Sequence, residues 1–234
     1  MFCRYALRTT DPVAGRAFYA DALGLSLPDG MSAESALEAW PLHERARARG
    51  APAHWLGLLA VGDVDVTAKQ LLSRGSEPLG APMQAQDGTP FATFRDPFGT
   101  VIGIRSRGQN VTRSPVAWHQ LHTADADGAW ALYHDLFGWA PKQTLEVPDL
   151  PGGYRLFAWN DAEQPAGMIG NTARSPGVHP HWLLSFPVTD IARAVARVRE
   201  LGGTALEPSA LPDGTRLCAC EDPQGAAFGL LQHP

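Results

Sequence analysis
The sequence holds little that could cross-link it, draw it to a polyanion or carry it across a membrane as a helix. Its three cysteines, Cys3, Cys218 and Cys220, cannot all pair. Cys218 and Cys220 stand two apart on an expected strand, so they face one side of a sheet and would close too short a loop for a good disulfide. Reduced thiols in a cytoplasm are the expectation. No apolar stretch approaches the ~20 residues of a membrane-spanning helix. Met1 leads directly into a strand-like run, and no membrane partner is expected. The formal net charge of −5 leaves no basic footprint, and nucleic acid is not an expected partner. Arg45, Arg47 and Arg49 lie close together and read as a solvated face. No GxGxxG, P-loop or GxSxG motif occurs, which removes the usual marks of dinucleotide, nucleotide and acyl-transfer chemistry. Cys218-x-Cys220 has no second cysteine pair, which argues against zinc.

What is present is repetition. A 44% hydrophobic chain of 234 residues suits one large or two small domains with filled cores. Tyr5 to Leu25 and His119 to Trp139 match at a constant offset, with Leu7/Leu121, Thr9/Thr123, Asp11/Asp125, Tyr19/Tyr133 and Gly24/Gly138 coinciding. Downstream, His54-Trp55-Leu56 matches His181-Trp182-Leu183. Asp63 matches Asp190, Gly75 matches Gly202, and Asp96-Pro97 with Gly99 matches Asp222-Pro223 with Gly225. The copies span 1–108 and 115–234, joined by a short polar stretch from Gly108 to Ser114. Each copy repeats inwardly: strand, an Asp placed to cap a helix, a Gly placed to stop it, then apolar strands joined by tight turns. The unit occurs four times and predicts an α+β, antiparallel-rich architecture with helices on one face of each sheet. Copy one departs after Trp40. Pro41 to Gly50 reads as a short helix where a fourth strand is expected.

These units resemble the βαβββ modules of the vicinal-oxygen-chelate superfamily, which holds glyoxalases, bleomycin-resistance proteins and extradiol dioxygenases. The resemblance rests on Phe18-Tyr19, Leu23-Gly24-Leu25 and Phe137-Gly138-Trp139, on the closing Asp-Pro-x-Gly turns, and on Trp118-His119-Gln120-Leu121 opening copy two. It implies two tandem domains, each of two modules, the first with a degenerate fourth strand. It also implies a divalent metal held in a cleft by His, Glu or Gln. The matching positions carry Arg4 and Trp118, Leu56 and Leu183, Gly103 and Gly229. Leucine and glycine offer a cation no side-chain donor, so no cofactor is expected. A divalent metal would need a non-standard set such as Gln120, His122 and a nearby carboxylate.

The expected ligand site lies in copy two: Trp118, Gln120, His122, Met168, Ala227, Gly229 and Leu231, which strand alternation puts on one face. Small residues at 227 and 229 are expected to leave volume where a relative would place its glutamate. Trp118, Trp159, Trp182 and Met168 would line the cleft for a flat apolar ligand, unless they are ordinary core. His119 should face the helix. His54 and His181 read as hydrogen-bonding anchors of strand starts. Arg4 and Arg8 share one face of copy one's first strand, and with Arg105 could bind a carboxylate or phenolate, unless Arg8 and Arg105 end in water. Three functions follow: a metal-free small-molecule binder, as monomer or homodimer; a metal-dependent glyoxalase-type lyase or dioxygenase; or an enzyme in which Arg4, Gln120 or His122 polarises a carbonyl without metal.

Overall fold
The computed structural model describes residues 1–28, 35–48, 50–85, 87–107, 114–147 and 150–234. The polar joint expected from Gly108 to Ser114 therefore lies, but for Ser114, outside the described residues. Copy one runs β1 (Phe2–Thr9), α1 (Pro12–Leu23), β2 (Leu37–Pro41), α2 (Glu44–Ala48), β3 (His54–Val61), α3 (Val64–Ser73), β4 (Glu77–Pro78), β5 (Met83–Gln84), β6 (Pro90–Arg95) and β7 (Val101–Ser106). Copy two runs β8 (Trp118–His122), α4 (Ala126–Phe137), β9 (Trp139–Val147), β10 (Leu150–Trp159), β11 (Gly167–Gly170), a 3₁₀ turn (Asn171–Arg174), β12 (His181–Pro187), α5 (Ile191–Glu200), β13 (Thr204–Ala205), β14 (Ser209–Ala210), β15 (Arg216–Glu221) and β16 (Ala227–Gln232).

Local chemistry sets these bounds. Asp11, Asp63, Asp125 and Asp190 each cap a helix, accepting backbone N–H bonds from its first turn. Gly24 and Gly138 end α1 and α4 at φ of 67° and 70°, a left-handed conformation that costs glycine nothing. The Asp96 and Asp222 carboxylates close their turns by accepting backbone N–H bonds from Phe98 and Thr100, and from Gln224 and Ala226.

Two sheets result. One has the order β2-β1-β3-β7-β6-β4, with β5 on β6; the other β13-β15-β16-β12-β8-β11-β10-β9, with β14 on β15. β2 pairs in parallel with β1 as β11 does with β8. The short helix expected after Trp40 is present as α2, but it follows a module-closing strand rather than replacing it. What copy one lacks, among its described residues, is a counterpart of the β9–β10 hairpin. Arg47, on α2, is exposed as expected.

The compact units cut across the two copies. Unit 1 gathers residues 1–3, 57–109 and 119–182; unit 2 gathers 4–56, 110–118 and 183–234. Unit 1 is built on aromatic rings. Trp139 stacks on Phe157 at 3.9 Å and on Tyr133 at 4.8 Å, and Phe2 packs edge-on to Trp159 and Trp182. Unit 2 sets Tyr19 edge-on to Trp55 at 5.1 Å and to Phe228 at 5.3 Å. Burying rings of this size contributes roughly 1.5–3 kcal/mol each.

Candidate functional site
In unit 1, β8 aligns in parallel with β11, so Gln120 stands beside Met168 and His122 beside Gly170. Residues directly paired in this way point to the same side of the sheet. Tyr154 of β10 lies against Gly170 and near the Gln120 side chain, and burial raises its pKa above the ordinary value. The His122 imidazole stacks on His181 at 4.6 Å, and its Nδ1 lies 2.6 Å from the Thr172 hydroxyl. The same hydroxyl lies 3.5 Å from the Gly170 carbonyl, so the contact with His122 Nδ1 is much the shorter of its two, and Nε2 is left without a part in this network. Burial and the neighbouring His181 lower the His122 pKa to about 3. The ring is thus neutral near pH 7.

His181 Nδ1 meets the His179 carbonyl at 2.7 Å, as His54 Nδ1 meets that of Pro52 at 3.0 Å. Both are the strand-start anchors expected of them. His119 faces the opposite side, stacked on Phe2 at 4.8 Å with Nδ1 on the Ala166 carbonyl. Gln120, His122 and Met168 are therefore brought together. Tyr154, Thr172 and the stacking role of His181 escape a sequence reading. Tyr154 and Thr172 reach the site through the β8–β11 and β10–β11 registers, which local pattern does not fix.

One open alternative is decided and one expectation fails. Trp159 and Trp182 do not line a cleft; they are 8% and 4% exposed and packed in the aromatic core. Nor is Gly229 a vacancy. A Cβ there would overlap the Ser185 hydroxyl and lie 2.9 Å from Ser185 Cβ, because β12 and β16 bring the two residues side by side. Gly103 is closed in the same way by Leu58. Glycine occurs at both positions because the neighbouring strand's side chain already fills the space. Leu231 is buried and Ala227 half-buried on the same strand. Trp118, in unit 2, keeps its Nε1 buried with no hydrogen-bond partner among the described residues.

The positions at which the family would hold its metal accordingly do not fit one. Leu56 and Leu183 are buried apolar side chains, Gly103 and Gly229 have no room for a donor, and Arg4 brings a positive charge. Among the described residues, no group of three or more His, Cys, Asp or Glu side chains is arranged to hold a metal ion.

In unit 2, Arg4 and Arg8 lie on one face of β1. The pairing with β2 sets Glu38 beside Ala6 and Trp40 beside Arg8. The Arg8 guanidinium lies over the Trp40 ring at 5.0 Å, and Trp40 Nε1 donates to Glu38 at 2.8 Å. Arg105 belongs to unit 1, where it is buried and ion-paired with Asp87 rather than ending in water.

Residues 118–231 match the family model described as a glyoxalase-like domain. An anthracycline biosynthesis protein, DauV, of Streptomyces sp. (strain C5) is 30% identical over 190 residues, covering 78% of this chain and 67% of the relative. The chain belongs to the glyoxalase-like family of the vicinal-oxygen-chelate superfamily. A Mycobacterium bovis protein named "Putative glyoxylase CFP32" is 26% identical over 97% of this chain and 92% of its own length. The Mn(II)-bound glyoxalase of Novosphingobium aromaticivorans superposes with a TM-score of 0.66 at 16% identity, covering 99% of this chain and 81% of that one. At that identity the likeness concerns the fold. No helix of the described residues is long and apolar enough to cross a membrane.

Proposed function
We propose that this glyoxalase-like protein binds a flat, hydroxylated aromatic compound without a metal, on the face of β8, β10 and β11 that carries Gln120, His122, Tyr154 and Met168. The observation that carries the reading is the state of His122. Its Nδ1 is engaged by Thr172 and its ring by His181, so Nε2 of the neutral ring is left to share a hydrogen bond with a phenolic hydroxyl, which can both donate and accept. Gln120 and the Tyr154 hydroxyl supply further polar contacts, and the buried Met168 an apolar floor beneath them. The similarity to an anthracycline biosynthesis protein supports the same ligand class. The metal-dependent lyase or dioxygenase is the second reading, favoured by the fold of its metal-bound structural neighbour and opposed by the side chains at the ligand positions.

Fluorescence titration with 1,8-dihydroxyanthraquinone tests this. Saturable binding is expected, unchanged after exhaustive dialysis against a chelator and weakened about tenfold by His122→Leu. Binding that is lost on chelation and restored by a divalent metal would establish the second reading instead.

A further inference from the structure
Unit 2 carries a second polar face that the proposed site in unit 1 does not use. Along β1, Arg4, Ala6 and Arg8 share one side, and β2 lays Glu38 and Trp40 against it. Arg4 and Glu38, 6% and 0% exposed, form its floor; Arg8 and Trp40, both partly exposed, form its mouth. Each element of this arrangement orients the next. Glu38 accepts from Trp40 Nε1 and so holds the indole, whose face lies against the Arg8 guanidinium. One planar face of that guanidinium is thereby occupied, while its Nε is buried with no hydrogen-bond partner among the described residues. Burial also pulls the Arg8 pKa below its ordinary value. A half-buried cation whose donors are not all satisfied by the protein leaves its remaining guanidinium N–H groups available to an anion.

We propose that Arg8, stacked on Trp40 above Arg4 and Glu38, is a binding site for the carboxylate of an organic monoanion. The edge of a guanidinium stacked by its face presents a planar pair of donors, and a carboxylate is the planar acceptor that matches it. Charge selects a monoanion: two arginines and one glutamate leave this face a formal +1, which one carboxylate balances and a phosphate dianion exceeds. Arg4 contributes in another respect. It occupies the place of the family's first metal ligand in this copy, and its positive charge favours an anion there over a metal ion.

Isothermal titration of the intact protein with benzoate, at neutral pH and low salt, tests the assignment. Saturable binding is expected, weakened at least about tenfold when benzamide replaces benzoate, because the charge-assisted pair is lost. Arg8→Gln should weaken benzoate binding to the same extent, whereas His122→Leu should leave it unchanged, which separates this site from the one in unit 1. The benzamide comparison needs no variant, so it holds even if Arg8→Gln fails to fold. The assignment is overturned by the absence of saturable benzoate binding up to about 10 mM. It is overturned equally by indifference to Arg8→Gln, by benzamide binding as tightly as benzoate, or by inorganic phosphate competing as strongly as benzoate.

Discussion

Unit 1 and unit 2 are two versions of one packing arrangement, and they differ in detail even where their sequences match. In unit 2, Trp55 Nε1 donates to the Tyr19 hydroxyl at 2.8 Å, and that hydroxyl donates to Asp222 at 3.3 Å. In unit 1, Trp182 Nε1 donates to the Tyr133 hydroxyl at 3.4 Å, and that hydroxyl donates to Asp96 at 2.9 Å. The same three residue types meet in the same order, but the short bond is the neutral one in unit 2 and the one to the carboxylate in unit 1. In each unit the aspartate comes from the other copy: Asp222 of copy two serves Tyr19 of copy one, and Asp96 of copy one serves Tyr133 of copy two. The repeated Tyr, Trp and Asp-Pro-x-Gly motifs are therefore halves of contacts that neither copy completes alone. Around this shared device, unit 1 adds stacked Trp139 and Phe157 and a buried His119, whereas the histidines of unit 2, His43, His54 and His233, are all at least partly exposed.

The strongest way to break the comparison is to separate the copies. Residues 1–108 and 115–234, produced as two chains, should each fail to show a cooperative thermal transition, and mixing them should restore one. Each copy alone would leave its tyrosine without the aspartate and would strip Phe2 from Trp159 and Trp182. The loss of several rings' burial, roughly 1.5–3 kcal/mol each, is comparable to the ~5–15 kcal/mol stability of a typical domain. Two independently folded halves, each as stable as the whole, would contradict the crosswise reading.

A smaller effect separates the units by pH. Burial lowers the His119 pKa to about 4 from its ordinary 6.5. The native state thus resists a proton that the unfolded chain accepts between those values, so stability is full above about pH 6.5 and falls as the pH drops towards 4. At ~1.4 kcal/mol per pH unit the loss reaches about 3 kcal/mol. Urea unfolding followed from pH 7 to 4 should show this slope in the intact protein and a shallower one in His119→Gln. Equal slopes would remove His119 as the source.

The finest test uses the hydrogen bonds themselves. Tyr133→Phe should cost about 1.5–3 kcal/mol, because a short bond to a buried carboxylate is lost. Tyr19→Phe should cost about 0.5–1.5 kcal/mol, because its short bond is to a neutral indole. Chemical denaturation of both variants checks the order, and a larger loss for Tyr19→Phe would reverse the assignment. Both hydroxyls are held well above their ordinary pKa by burial, so neither ionises in the working range.

Much of the fold was legible. Asp11, Asp63, Asp125 and Asp190 announced four helices, and Gly24 and Gly138 announced where two of them stop, because capping is chemistry between residues a few positions apart. The direction of His119 followed from its alignment with Tyr5 in the repeat, and the anchoring by His54 and His181 from their matching places before Trp at two strand starts. The candidate site was legible only in part. Gln120, His122 and Met168 could be named, since two of them alternate on one strand. Tyr154 and Thr172 could not, because they meet the others through pairings between strands. Whether Trp159 and Trp182 line a cleft or lie in the core stayed open for the same reason: alternation says that two faces differ, not which one the helices cover.

Composition and local pattern by themselves determined the four-module repeat and the helix boundaries, and the resemblance to the superfamily added that Arg4, Leu56, Gly103, Trp118, Leu183 and Gly229 stand at its metal-ligand positions. Only the tertiary structure decided that the copies complete one another crosswise, that Ser185 and Leu58 fill the space beside the two glycines, and that Arg8 rests on Trp40 above Glu38. Those outcomes depend on registers between strands far apart in the chain, where the burial of aromatic rings and the satisfaction of buried carboxylates select one pairing among many that the local pattern allows.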